Sequence, residues 1–167
     1  MEIACDESGS EGEKLVGGVT AVFAHAGVRL SHEEAATCVR SLREMIKSPA
    51  VEYKANHLLR ALGPRGALDP LFPAILRAVA QWGGPVSMVH DQQLSLTDRR
   101  IRQLKKLAPR LESLTLVDSQ HDARVQVADF LAGIARRVAE EELHGRPDRE
   151  VIELLMPFVA GPRMWHA

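Results

Sequence analysis

Between Leu114 and Arg137 the chain runs through a short apolar segment, an acidic turn and an amphipathic helix that carries an aspartate. Leu114-Thr115-Leu116-Val117 is apolar and β-leaning, and reads as a buried strand ending at Asp118-Ser119. A polar turn over Gln120 to Arg124 leads into a helix from about Val125. On that helix Gln126, Asp129, Gly133 and Arg136 share one face, and Val127, Phe130, Leu131, Ile134 and Val138 form an apolar stripe. Ala128, Ala132 and Gly133 flank Asp129 with small side chains, which lets the helix lie close to a sheet. A carboxylate inside a helix competes for backbone donors. Burying it beside a second carboxylate costs more, unless a cation sits between them. The pattern therefore predicts a metal site.

The rest of the chain supplies further strand-end acids. Glu2 to Asp6 alternates and predicts a strand ending at Asp6-Glu7, followed by turn chemistry at Ser8-Gly9-Ser10-Glu11-Gly12. Leu15 to Leu30 predicts a strand pair or meander. Ser31 and Glu34 form a capping box for a helix that stops before Pro49. Val51 to Ala55 is extended in character, Asn56 to Ala61 helical, and Gly63 to Gly66 a loop. A helix opened by Asp69-Pro70 closes at Gly83-Gly84-Pro85, and the next strand, Val86 to Asp91, again ends in an acid. Thr97 caps a basic helix with Ile101, Leu104 and Leu107 inside. Pro109 ends that helix, Gly145-Arg146-Pro147 breaks the next, and Asp148 starts a last one through Met156. The expected architecture is α/β, a mixed sheet covered by helices, in a single domain over 1–167 with 145–167 as a C-terminal helical extension. Ligand sites in such sheets form where strand ends converge. Asp6, Asp91 and Asp118 all occupy predicted C-terminal strand ends.

Composition narrows the partners. A formal net charge of −1 excludes a strongly basic footprint, so a nucleic-acid partner needs a local patch or bound cations. Aromatic content of 4% argues against a base-stacking platform. Cys5 and Cys38 match no metal spacing and read as two buried free thiols. A start without a basic, apolar leader and the lack of a bilayer-length run lead to an expected cytoplasmic protein with no membrane partner. Oligomeric state is not legible.

Three separated motifs line up: Cys5-Asp6-Glu7-Ser8-Gly9, Glu52-Tyr53-Lys54-Ala55, and Asp118-Ser119 followed by Gln126-Val127-Ala128-Asp129-Phe130. In this order they resemble the domain-of-unknown-function 3800 family, a branch that looks like the ribonuclease-H-like fold. His90-Asp91 and Asn56 to Arg60 also look like this group. The resemblance implies a divalent-metal nuclease site or the relic of one. In it Asp6 is the central ligand bridging two metals, Glu52 the middle acid, Asp118 the strand-end acid and Asp129 the closing acid on the last helix. Glu52 departs from the simplest pattern, since it follows the first helix instead of sitting on it. Asp91 is a spare strand-end acid that replaces Asp118 or joins it.

The expected cofactor is Mg²⁺ or Mn²⁺. Hard cations take oxygen ligands, at roughly 2.0–2.1 Å for Mg²⁺. Two such ions about 4 Å apart polarise a scissile phosphate, deprotonate a water and stabilise the leaving oxygen. Acids gathered without metal repel one another and rise in pKa. The competing role for each acid is surface or capping. Glu7 reads as turn-forming or as supporting the ligands. Lys54 shares a face with Glu52 and is a catalytic phosphate holder or an ion-pair partner. Ser8 lacks nucleophile context, Gly9 to Lys14 is no P-loop, and the histidines form no zinc spacing. His121 is a proton shuttle or an exposed loop histidine. Arg99, Arg100, Arg102, Lys105, Lys106 and Arg110 crowd one helix with a single acid, Asp98. That face is plain solvated surface or the phosphate-binding patch, with Arg99, Arg102 and Lys106 as substrate contacts. Arg136 and Arg137 are secondary candidates. The expected function is a metal-dependent nuclease or phosphodiesterase acting on DNA or RNA. The alternatives are a non-catalytic ribonuclease-H-like module that binds nucleic acid or protein, and a hydrolase of a small phosphoester.

Overall fold

The computed structural model describes residues 1–9, 22–46 and 71–159, with residues 42–46 described in backbone only. Among the described residues four strands form one sheet: β1 (Glu2–Ser8), β2 (Ala24–Val28), β3 (Val86–Asp91) and β4 (Leu111–Val117). Their order is β2-β1-β3-β4, with β1 antiparallel to β2 and parallel to β3, and β3 parallel to β4. Five α-helices accompany them among these residues: α1 (His32–Ile46), α2 (Leu71–Gln81), α3 (Asp98–Leu107), α4 (Ala123–Leu143) and α5 (Arg149–Leu155). This is a mixed α/β architecture with a mixed sheet, as the alternation of strand and helix patterns predicts. The expected strand over Leu114–Val117 begins earlier, at Leu111. Glu52, Lys54, the segments 51–55, 56–61 and 63–66, Asp69-Pro70, the tail from Gly161 and most of the expected meander before β2 lie outside the described residues.

Alternation along β1 builds two cores. Ile3 and Cys5 face α2 and α3, joining Ile75, Val79, Met88 and Leu104. Ala4 faces the other way, into a layer with Ala35 of α1, Val89 of β3, and Val125 and Ala128 of α4. Helices thus cover both faces of the sheet. Helix α1 starts as its capping box predicts: the Ser31 amide donates to Glu34 Oε2 at 2.8 Å, and the Glu34 amide donates to Ser31 Oγ at 3.2 Å. The basic helix differs in detail. Thr97 occupies the cap position, but its hydroxyl makes no capping bond. Leu104 alone of that helix is buried, while Leu107 lies 64% exposed.

Helix α4 is rotated from its expected setting. Its buried residues are Arg124, Val125, Val127, Ala128, Ala132, Val138 and Ala139, while Phe130 is exposed. Small side chains at Ala128 and Ala132, both fully buried, bring the helix axis close to the sheet, and the bulkier Phe130 is left outside. The helix advances along β1 in the strand's own direction. Arg124 pairs with Glu2 near the strand's start, and Arg136 Nε donates to Ser8 Oγ at 3.0 Å at its end. A helix rises about 1.5 Å per residue and a strand about 3.3 Å, so these spacings cover similar lengths. Cys38 is exposed on α1, against the expectation that both thiols are buried; only Cys5 is. Its position on the outer side of α1 leaves the buried face to Ala35.

Candidate metal centre

Parallel pairing of β1 with β3, at the register Cys5 opposite His90, puts Asp6 and Asp91 at the same end of neighbouring strands. Both sit on the α4 side by alternation with Ala4 and Val89. Asp129 of α4 is near enough for its charge to act on Asp6. The charges of Glu7, Asp129 and Asp91 all act on Asp6, which is 5% exposed. Burial first, then these three charges, push the Asp6 carboxyl up to about 9, although the Glu7 amide donates to its Oδ1 at 2.8 Å and works against the rise. The charges of two other expected ligands, Asp91 and Asp129, thus reach Asp6, although among the described residues the group whose ligand atoms lie within 4.8 Å of one another is Asp6, Glu7 and His90.

Asp118 has a different position. Its carboxylate caps the turn after β4, accepting from the Gln120 amide at 2.9 Å, and its Oδ2 lies 3.9 Å from His121 Nδ1. The side chain is 43% exposed. Asp91, the spare strand-end acid, holds that turn in place by accepting from the Ser119 amide at 3.0 Å. Asp91 thus joins the charges around Asp6, whereas Asp118 sits at the rim. His121 is exposed beside it.

Two residues of this edge are not marked as ligands by the sequence pattern. Ligand atoms of Asp6, Glu7 and His90 all lie within 4.8 Å of one another. His90 is fully buried, and its Nε2 is 3.5 Å from Glu7 Oε2. On the other ring nitrogen, Nδ1 lies 3.0 Å from the Asp91 carbonyl oxygen. His25 of β2 stacks on His90 with ring centroids 5.6 Å apart. Shielding from solvent, then the neighbouring His90, push His25 down to about 3, and burial likewise lowers His90. Both rings are thus pushed towards the neutral form. The signal available in sequence is the adjacency of His90 to the strand-end Asp91. Period-two alternation sets Glu7 and His90 on the face opposite Asp6, and this hides their closeness.

Gly9 and Arg136 close the strand's end. Gly9 has φ +109, and a Cβ there would lie 2.0 Å from the Val22 carbonyl oxygen and 2.8 Å from Arg136 Cδ. Arg136 also pairs with Glu140 at 3.0 Å, so its guanidinium is held between Glu140 and Ser8. On α3, Arg99, Arg102, Lys105 and Lys106 are exposed, while Arg100 lies over the Phe72 ring at 5.4 Å and donates to the Ser95 carbonyl.

No protein-family model, curated protein or solved structure matches the chain. Among the described residues no helix is long and apolar enough to cross a membrane.

Proposed function

We propose that this chain is a divalent-metal-dependent nuclease or phosphodiesterase of ribonuclease-H-like type, working through a carboxylate cluster and two divalent ions, Mg²⁺ or Mn²⁺. The observation that carries the reading is the convergence of negative charge on the buried Asp6, from Glu7 beside it, from Asp129 of α4 and from Asp91 at the end of the parallel strand β3. Such a set is costly without a cation and suited to one, because hard ions take carboxylate oxygens and cancel the repulsion. Within this reading Asp6, Asp91 and Asp129 would hold the ions, with Asp118 at the rim, and Glu52 would be the middle acid that the resemblance implies. Lys54 steadies the phosphate. The exposed cations Arg99, Arg102 and Lys106 supply phosphate-backbone contacts to DNA or RNA. The proposed ribonuclease-H-like topology is in keeping with a β1 that pairs antiparallel on one side and parallel on the other.

The capping role of Asp118 favours the second reading, a non-catalytic module of the same fold that binds nucleic acid or protein. Cleavage of labelled single strands, duplexes and RNA–DNA hybrids with Mg²⁺ or Mn²⁺ separates the two. Cleavage that chelator abolishes and Asp6→Asn removes supports the nuclease. Retained binding with no metal-dependent cleavage of any polymer supports the module.

A further inference from the structure

We propose that His90 is a metal ligand through Nε2, alongside Asp6 and Glu7, and that the site consequently prefers a transition divalent ion of the Mn²⁺ class over Mg²⁺. The inference rests on the reading of this edge as a cation site, and adds to it the identity of one ligand and the class of ion.

Geometry around the imidazole carries the argument. A carbonyl oxygen only accepts, so the 3.0 Å contact between Nδ1 and the Asp91 oxygen puts the ring proton on Nδ1. In the neutral ring Nε2 then bears a lone pair. That nitrogen is sealed from solvent and has no hydrogen-bond partner among the described residues. Leaving a buried acceptor unsatisfied costs of order 1–3 kcal/mol, so it calls for an account. Nε2 faces Glu7 Oε2 at 3.5 Å, which is longer than the roughly 2.7–2.9 Å of a charge-assisted hydrogen bond. The spacing instead matches donors converging on one ion. With bonds of roughly 2.0–2.2 Å, two ligands at right angles stand about 3 Å apart and two opposite ligands about 4.3 Å apart. All three ligand atoms of Asp6, Glu7 and His90 fall within 4.8 Å of one another.

The surroundings are those of a metal-bound histidine. A backbone carbonyl on the far nitrogen fixes the tautomer and the ring's orientation, which is the usual support for such a ligand. The stacked His25 ring holds the plane of His90 from the β2 side. Imidazole nitrogen suits iron, nickel, copper and zinc best, and Mn²⁺, the first of that divalent series, still accepts it alongside carboxylates, whereas Mg²⁺ keeps to oxygen ligands. A site with one nitrogen and two carboxylates is therefore expected to bind Mn²⁺ about tenfold or more tighter than Mg²⁺.

The test is electron spin-echo spectroscopy of Mn²⁺ added to the full chain, with calorimetric titration of Mn²⁺ and Mg²⁺. Wild type is expected to show a nitrogen coupling that changes character on ¹⁵N-histidine labelling. His90→Gln is expected to lose the coupling and to bring the two affinities within about threefold; His25→Gln keeps the coupling. Labelled wild type carries the test even where His90→Gln fails to fold. Bound Mn²⁺ without nitrogen coupling overturns the role of His90 and leaves a carboxylate-only centre. Absence of any Mn²⁺ binding overturns this inference and the cation reading together.

Discussion

Asp129 of α4 and Asp6 of β1, from opposite ends of the chain, are close enough that the charge of one raises the carboxyl of the other. Ala128 makes that approach possible, because its methyl group lies fully buried in the layer between helix and sheet. Close packing by small side chains is thus the structural cause, and the raised Asp6 carboxyl is the electrostatic result.

The Asp6 carboxyl sets the pH response of the metal-free protein. Its folded pKa of about 9 exceeds the ordinary value of 3.8, so between about pH 6.5 and 8.5 the folded state keeps a proton that unfolding releases. Stability must therefore fall as pH rises through that window, by of order 1 kcal/mol per pH unit. His25 and His90 have depressed values and act in the opposite sense only below about 6.5, where the unfolded chain takes up protons first. Urea unfolding in chelator is expected to show the falling slope for wild type and a flat line for Asp6→Asn.

Much of this edge was legible in the sequence, and the limits have physical causes. A strand ending in an acid predicts that its carboxylate reaches the sheet's edge, and Asp6 and Asp91 lie at the same end of neighbouring parallel strands, with the charge of Asp129 also reaching Asp6. The capping box at Ser31 and Glu34 needs only local spacing, and it forms as written. Glu7, His90 and His25 required cross-strand register, which a single strand's pattern does not contain. The setting of α4 also escaped the hydrophobic pattern, since Ala128 and Ala132 outweigh Phe130 through closeness of approach and not through size.

Arg124 anchors the start of α4. Its Nε and Nη2 donate to the two oxygens of Asp122 at 3.0 and 2.7 Å, and Nη1 donates to Glu2. Asp122 is buried, which on its own raises a carboxyl, yet the Arg124 hydrogen bonds hold it below the usual range. Arg124→Ala removes the cation from that buried carboxylate and leaves it the backbone amide of residue 124, and is expected to cost about 3 kcal/mol in chemical denaturation.

At the end of β1, Gly9→Ala introduces a Cβ at φ +109 and 2.0 Å from a backbone oxygen. The positive φ alone costs of order 1–3 kcal/mol, and the clash adds to it. Thermal unfolding is expected to show a lowered midpoint, with weaker Mn²⁺ binding because Asp6 and Glu7 shift with the strand's end.

The exposed cations of α3 are expected to act on affinity and not on the chemical step. Replacing Arg99, Arg102 and Lys106 together by alanine should flatten the salt dependence of duplex binding by up to about three units of log–log slope, roughly 0.9 for each phosphate no longer neutralised. Fluorescence anisotropy over a salt series measures this. A slope unchanged from wild type places nucleic-acid binding elsewhere on the molecule.

Anomalous scattering from Mn²⁺-soaked crystals tests most directly whether folding gathers these acids around a cation. The account predicts a peak at the β1–β3 edge within bonding distance of Asp6, with Asp129 and Asp91 among its neighbours. Mn²⁺ peaks confined to other surfaces, with none at Asp6 or Asp129, would contradict it.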